Sequence, residues 1–586
     1  MAAPDGPFVL LDGPDGARLF SCPVEIIATH EPAEVRPCLD RLRMAAVRGL
    51  HAAGFIGYEA GLALEPKLVP LATAPDAAAP PLLWFGLFEA AEAVDVETWL
   101  PDSAGAWCGP ARPRIDRAAY LAAADRAITH IFAGDIYQAN LTFRAEARVA
   151  GSPLALYAGL RARGGGRQGG IVSTGAHWLL SCSPELFFTL EGRRITARPM
   201  KGTAVRRADP AADAEEAKLL LADPKQRAEN LMIVDLLRND LARAAAPGTV
   251  AVPRLFEVET YPTVHQMTST VTAELAPGLD AVDLLAAAFP CGSVTGVPKI
   301  RAMEIIAALE QDARGPYTGS IGAVAPGGDA SFNVAIRTLV LARGDTTAVL
   351  GLGSAVVADS RPEDEWRECL AKGAFVADRR PLDLIETMRF DPLEGLADLE
   401  RHLARMKASA EALDFAFDRH DARNELQAAT FRLRGASVVR LRLSRSGAIA
   451  IETRAAPAPP HGPVAVAVVP LPVDPADFRL RHKTGDRVFY DAARRAAGTF
   501  EVLFESGGAL TEGSFTNLFV ERDGRLVTPP LSRGLLPGIL RERLLETGRA
   551  AEGKLTRADL SGGFLIGNAL RGLLPARLAS GRADHT

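Results

Sequence analysis

Ser183-Pro184-Glu185-Leu186-Phe187 sets one carboxylate against aromatic side chains at the end of an apolar run. Apolar surroundings raise a carboxyl pKa and suit the group to act as an acid. A solvated strand-end glutamate describes the stretch as simply. Glu229 heads Glu-Asn-Leu-Met-Ile-Val-Asp, a helical pattern with its acids on one stripe. Further on, Asp359 to Glu368 starts a helix with Pro362 in its first turn, so that Glu365 and Glu368 share a face. Helix-borne carboxylates from two distant segments are the hard oxygen ligands Mg²⁺ takes, and solvated acidic faces carry the same pattern. Gly292-Ser-Val-Thr295-Gly-Val-Pro298-Lys299 leads into a helix whose free N–H groups suit an anion such as a carboxylate, or an ordinary cap.

A second set lies near the C-terminus. Arg481-His-Lys483-Thr-Gly-Asp486 precedes a helical run, and Glu512 stands in a turn of small polar residues, Glu512-Gly-Ser514-Phe-Thr516-Asn517. Leu535-Leu-Pro-Gly-Ile539-Leu540 is a glycine turn into a helix, able to cup a phosphate. A lysine, an acid and two N–H-rich turns are the parts of a pyridoxal phosphate site, though each alone reads as an ordinary turn.

The elements that must hold these residues are legible in outline. Residues 1 to about 100 alternate β-branched or aromatic runs (Phe8 to Leu11, Leu83 to Gly86) with turns, which predicts strands. Ala74 to Pro81 reads as a surface loop, Ile115 to Phe132 as a helix, and Asp213 to Ala244 as a helix broken at Asp223-Pro224. Gly164 to Gly170 lacks the strand-glycine-helix context of a nucleotide loop and reads as a mobile hairpin. Lys299 to Glu310 is a further helix. Phe375 to Leu384 is the best boundary; after it come a strand (Leu384 to Met388), an amphipathic helix (Leu399 to Leu413) and β-rich sequence from Ser437 to Val473, with a loop at Pro457 to Pro463.

The 586 residues amount to roughly four domain lengths at about 150 residues each. With 66 basic and 71 acidic side chains the net charge is -5, which lacks the basic footprint of a nucleic-acid binder. The longest apolar runs, Ala348 to Ala358 and Val464 to Val473, fall short of the roughly 18 residues of a membrane span. The start has no signal core. The six cysteines form no C-x-x-C pair, which fits a reducing, cytoplasmic setting, and none follows Cys369, a compositional change that hints at two differently derived segments.

In order along the chain, six stretches resemble the chorismate-utilising enzymes: Gly134-Asp-Ile-Tyr-Gln138-Ala-Asn-Leu, Ser183 to Phe187, Arg198-Pro-Met-Lys201-Gly-Thr, Glu229 to Leu236, Gly292 to Lys299, and Asp359 to Glu368. The resemblance covers about 115–375 and implies that Glu185 protonates the departing C4 hydroxyl of chorismate. It implies Mg²⁺ on Glu229 and Glu368 with Glu365 nearby, and substrate contacts at Thr295, Tyr317, Arg337 and Lys372 plus backbone N–H groups of Gly351 and Gly353. Lys201 resembles the lysine by which aminodeoxychorismate synthases attack C2, since a desolvated lysine is a competent nucleophile. Gln138 stands where isochorismate synthases carry a water-activating lysine. Gln266 stands where anthranilate synthases carry a histidine tied to pyruvate elimination, and His265, one step out of register, faces the other way on a strand. No Gly-x-Cys-Leu-Gly elbow is present, so ammonia is expected from a separate glutamine amidotransferase or from ammonium.

From about 384 to 575 the chain resembles the class IV pyridoxal enzymes, which include aminodeoxychorismate lyase. The likeness implies Lys483 as the Schiff-base lysine and Glu512 as partner of the pyridine nitrogen. Phosphate contacts follow for Arg405, Ser514, Thr516 and the backbone of Ile539 and Leu540. Leu540 replaces the usual threonine, and the chain enters at Leu384-Ile-Glu-Thr387 without the family's usual opening strand pair. The roles of Thr387 and Arg571 stay open.

The expected fold is α+β. A large β-sandwich-like chorismate-binding domain with helices (1–114 variable, 115–378 catalytic) precedes a two-subdomain α/β unit of the pyridoxal fold type IV (379–586). The expected function is bifunctional: amination of chorismate, then pyridoxal-dependent elimination of pyruvate to give 4-aminobenzoate, a folate precursor. The rival expectation is an anthranilate synthase component fused to a branched-chain or D-amino-acid aminotransferase-like domain. A dimer through the C-terminal half is expected by analogy.

Overall fold

A computed structural model describes residues 4, 6–14, 16–164, 166–261 and 264–579. They form two compact units: the chain up to Leu100 with Pro110–Ala147 and Tyr157–Ala377, and Pro101–Gly109 with Arg148–Leu156 and the chain from Asp378.

In the first unit we name β1 (Phe8–Gly13), β2 (Gln138–Ala150), β3 (Leu186–Glu191), β4 (Met200–Val205), α1 (Pro224–Ala242), β5 (Val264–Glu274), α2 (Lys299–Leu309), β6 (Thr347–Val356) and α3 (Pro362–Gly373). One sheet runs from β2 through β6, Thr338–Ala342, His177–Ser181 and Gly169–Ser173 to β1. The other runs from β4 through β5, Arg194–Arg198, β3, Ala330–Asn333, Ser320–Val324 and His51–Ile56 to Leu83–Phe88 and Glu25–Thr29. Strands before residue 100 pair with later strands in both sheets, as Leu10 with Ile171 and Ala53 with Ala323. Val9, Phe20, Val172 and Leu179 of one sheet pack on Phe55, Trp84, Phe88 and Ile321 of the other. Each such buried side chain contributes about 1.5–3 kcal/mol, and this face makes the unit a sandwich. Ile233 and Leu237 of α1 join the core on the second sheet's other face.

The helix break at Asp223 is a cap: its carboxylate accepts from the N–H groups of Lys225 and Gln226, and Pro224 opens α1. The glycine run at 164–170 is not a hairpin. Gly164 ends the helix Pro153–Gly164 and Gly169 begins the strand Gly169–Ser173, while Gly165 lies outside the described residues. Close packing explains the glycines, since a Cβ on Gly166 would lie 2.2 Å from the Cys182 carbonyl oxygen and one on Gly170 2.4 Å from that of Leu10.

In the second unit, β7 (Leu384–Asp391), β8 (Ser437–Leu443) and β9 (Ile449–Ala455) form a sheet with Gly395–Leu396, covered by α4 (Leu399–Ala412). Leu384 and Met388 of β7, Val439 and Leu441 of β8, Leu403 and Met406 of α4, and Trp107 share one core. The remainder carries α5 (Val488–Ala497), β10 (Glu501–Ser506), β11 (Ala509–Gly513), β12 (Asn517–Arg522) and α6 (Ile539–Glu546). Here β11, β10, Val464–Pro470, Gly572–Leu578, Phe564–Asn568 and β12 close into a ring, because β11 also pairs with β12. That closure sets Glu512 directly opposite Asn517.

Candidate active sites

In the first unit, the turn before β3 puts Glu185 almost wholly out of solvent, at 4% exposure. Ser183 Oγ fixes the turn, donating to the Val334 carbonyl at 2.6 Å and accepting from Glu185 N–H at 3.2 Å. Burial raises Glu185 to about 7, with the Ser293 hydroxyl and the charge of Lys201 pulling it partly back. Its Oε1 has no hydrogen-bond partner. The carboxyl therefore holds a proton near neutral pH and presents one free oxygen.

Lys201 on β4 lies 3.2 Å from Glu229 Oε2 on α1. On α3, Glu368 pairs with Lys372 at 2.7 Å, and Lys372 also donates to the Gly353 carbonyl at 2.9 Å. Burial pushes the Glu368 carboxyl up, but Lys372, then Lys201 and Lys225, outweigh it and hold the group below its ordinary range. Glu185, Lys201, Glu229, Glu368 and Lys372 thus act on one another. Glu365 is spent locally, accepting from Ser360 Oγ at 2.7 Å.

Among the described residues no three His, Cys, Asp or Glu side chains form a metal-holding group. Two carboxylates still fit the donor chemistry of Mg²⁺, which usually takes one or two from the protein and completes its shell with water and substrate.

The expected substrate contacts divide. Thr295, fully buried, donates back to the carbonyls of Cys291 and Gly292, at 3.3 and 3.1 Å. Arg337 donates to the Gly164 carbonyl at 2.8 Å and holds a left-handed φ of 50°. Gly351 lets the Tyr317 ring approach to where a Cβ would be 2.0 Å from it, and Gly353 does the same for Thr142 at 2.6 Å. Gln138 is buried with neither amide atom partnered. On β5 the neighbours face apart. Gln266 donates to the Gly202 carbonyl at 2.7 Å and accepts from Thr203 Oγ, beside Lys201. His265 turns to Asp213 and Thr260. Ser293 went unremarked as a partner of Glu185, although it sits inside a quoted motif.

The second unit holds a cavity of about 510 Å³ whose walls include Lys483, Arg405, Glu512, Ser514, Thr516 and Ile539. Thr387 and Arg571, left open on sequence, also line it. Lys483 lines this cavity and is half-buried. Desolvation lowers it to about 7; Glu386 opposes the shift, and Arg405, Arg487 and Arg440 deepen it. Glu512, 5% exposed, is raised by burial to about 8. Tyr490 donates to its Oε1 at 2.9 Å and Asn517 Nδ2 to its Oε2 at 3.4 Å.

The anion anchors differ in detail from expectation. Arg405 grips Glu386 through Nε and Nη2, at 2.8 and 2.7 Å, and donates Nη1 to the Pro537 carbonyl. Burial would raise Glu386, but Arg405, His402 and Lys483 hold it well below the usual carboxylate range. The hydroxyls of Ser514 and Thr516 both donate to Glu501, at 2.6 and 2.9 Å. Leu540 points into the core with Phe519 and Leu544, leaving Ile539 at the cavity. Sequence reasoning missed Glu386, His402, Tyr490 and Glu501; the Arg440-Leu-Arg442 alternation on β8 was the readable signal that one sheet face is basic.

The residues present fit pyridoxal phosphate. An amine of low proton affinity, a buried acid opposite it in charge behaviour, a guanidinium and the helix start at Gly538 surround one cavity. His402 Nε2 is buried without a partner at its edge. Gly538 brings backbone so close to Asn517 that a Cβ would sit 1.8 Å from Asn517 Oδ1.

Fold and sites define an enzyme with an acid–lysine centre on a sandwich and a lysine cavity in an α/β unit. Residues 6–378 match the family model of the chorismate binding enzymes, and the chain belongs to that family. Residues 383–579 match class IV amino-transferases, so the second unit is a fused domain of that type. Over 248 residues the chain is 46% identical to anthranilate synthase component 1 of Streptomyces coelicolor, covering 42% of this chain and 48% of that one. Over 242 residues it is 44% identical to aminodeoxychorismate synthase component 1 of Salmonella typhimurium, covering 41% and 53%. The chain spans about half the length of these curated relatives. The crystal structure of anthranilate synthase component I from Streptococcus pneumoniae matches with a TM-score of 0.51 at 26% identity, over 64% of this chain and 91% of that one. No helix among the described residues is long and apolar enough to cross a membrane.

Proposed function

We propose that the chain makes 4-aminobenzoate in two steps, aminating chorismate in a catalytic domain over 115–378, preceded by a variable part over 1–114, and eliminating pyruvate in a lyase domain over 379–586. The observation that carries this reading is Lys201 beside Glu229 and within the field of Glu185, a nucleophile and a protonated acid in one site. Glu185 gives its proton to the C4 hydroxyl, which leaves as water, while Lys201, as the free amine, bonds to C2 and both ring double bonds move one position toward C4. Ammonia then bonds to C4 and the lysine leaves C2. Thr295, Tyr317, Arg337, Lys372 and the backbone of Gly351 and Gly353 are assigned to the substrate. Glu229 and Glu368, with Glu365 behind them, would hold Mg²⁺, which screens substrate carboxylates. Gln266, tied to the Lys201 strand, offers no base for pyruvate loss, which supports release of 4-amino-4-deoxychorismate.

In the second unit, Lys483, Glu512, Arg405 and the backbone of Ile539 and Leu540 would hold pyridoxal phosphate, with the Ser514 and Thr516 hydroxyls turning to it from Glu501. Bound there, the cofactor supplies a conjugated cation that accepts the electron pair released when the substrate carbon loses its proton. Lys483, unprotonated above about pH 7, takes that proton from C4. A glutamine amidotransferase subunit is the proposed ammonia source, and a cytoplasmic dimer the proposed form.

Purified protein given chorismate, ammonium, Mg²⁺ and pyridoxal phosphate should yield 4-aminobenzoate. Anthranilate as the main product would overturn the proposal in favour of the anthranilate synthase reading, to which the Streptomyces coelicolor relative lends weight.

A further inference from the structure

Seven residues beyond Lys483, Tyr490 stands on the first turn of α5, 2% exposed, with its hydroxyl aimed at Glu512 Oε1 across 2.9 Å. Its ring is fixed on three sides. Phe489 lies 4.1 Å away by ring centroids, Phe504 5.6 Å, and the Arg487 guanidinium sits 4.4 Å over the ring. Arg487 also donates to the Ser514 carbonyl, so the start of α5 is tied to the turn that follows Glu512.

The groups that set the charge of Glu512 are few. Tyr490 and Arg487 approach from the start of α5, Glu501 from β10, Asn517 from β12, and the Leu536 backbone from the turn before α6. Of these, Tyr490, Leu536 and Arg487 favour the carboxylate and Glu501 opposes it. Burial drives the Tyr490 hydroxyl to hold its proton far above neutral pH, so it acts as a donor throughout the working range. Tyr490 feeds one carboxylate oxygen and Asn517 the other, and each oxygen keeps a second lone pair for a further donor.

We propose that Tyr490 is a positioning residue: by donating to Glu512 Oε1 it orients that carboxyl and favours its ionised form against burial, so that the ring nitrogen of bound pyridoxal phosphate keeps its proton. This rests on reading the cavity as the cofactor site. A protonated ring nitrogen is what lets the cofactor accept electrons, so Tyr490 would act on the second reaction through Glu512.

The test is ¹⁵N NMR of the full chain loaded with pyridoxal phosphate labelled at the ring nitrogen. In the wild type near neutral pH the signal should lie at the pyridinium position. Tyr490→Phe keeps the ring and its packing, and the signal should move toward neutral pyridine. Glu512→Gln should complete that move, and adding Tyr490→Phe to it should change nothing further. A Tyr490→Phe signal identical to the wild type, or an equal displacement in the Glu512→Gln background, would overturn the role. A second measurement needs no cofactor. The infrared carboxyl band identified by its loss in Glu512→Gln should titrate about one to two pH units higher in Tyr490→Phe, the scale of one hydrogen bond to a charged group. An unmoved band also overturns the proposal. A wild type that takes up no cofactor refutes the reading of the cavity instead, and the infrared result then stands alone on the hydrogen bond.

Discussion

The two units prepare a lysine and an acid by opposite means. In the first, Lys201 sits in an ion pair with Glu229, among carboxylates and further lysines on β4, α1 and α3. In the second, among the described residues no carboxylate pairs with Lys483, and burial lowers it to about 7 against the opposing charge of Glu386. The acids run parallel. Glu185 and Glu512 are both lifted by burial, to about 7 and about 8. One fold pairs its nucleophile with charge and the other withholds water from it, so the first should answer to ions and the second to packing.

Deleting the lysines separates the sites most sharply. Lys201→Ala should cost the amination step about 10²–10⁴-fold while cofactor absorbance stays intact, and Lys483→Ala should abolish that absorbance and let 4-amino-4-deoxychorismate accumulate. Equal loss of both steps in either variant would break the comparison. Glu185→Gln should slow amination about 10²–10³-fold with cofactor uptake unchanged, read by product chromatography.

The pH dependence follows from the same values. Glu185 must hold its proton, so amination falls as pH rises through about 7. Lys483 must lack one, so proton removal in the second unit rises through about 7. Intermediate should therefore build up on the acid side and 4-aminobenzoate should dominate on the alkaline side, measured by product ratio from pH 6 to 8. A ratio independent of pH would remove the contrast.

Smaller effects concern stability. Gly351→Ala forces a methyl against Tyr317 and should cost about 1–3 kcal/mol by chemical denaturation. Lys225→Ala removes a solvent-exposed pair with Asp359 at 3.0 Å and should change stability by about 1 kcal/mol at most.

Local patterns carried the motifs. The Glu185 turn, the Asp223 cap and α3 behind Pro362 were all legible, because each rests on neighbours within a few residues. What escaped depends on distant strands. Glu501 looks like a solvated strand start, and only the ring closure through β10, β11 and β12 buries it under Ser514 and Thr516. Glu386 likewise reads as one polar residue in an apolar strand until α4 lays His402 and Arg405 over it. Such buried carboxylates spend the very donors that motif reasoning assigned to a ligand. The Gly166 and Gly170 spacing was misread for the same reason, since the atoms that forbid a side chain belong to Cys182 and Leu10.

Trp107 packs in one core with Leu384, Met388 and Leu441, and its strand pairs with Val149 and Ala150 at the end of β2. For protein engineering this matters more than the apparent joint near residue 378. A single cut there leaves the C-terminal fragment without the indole that fills its sheet, so that fragment should need a solubilising partner or a grafted aromatic in expression trials. A gene split into two independent cassettes would have to carry a copy of the 101–109 and 148–156 segments with the second.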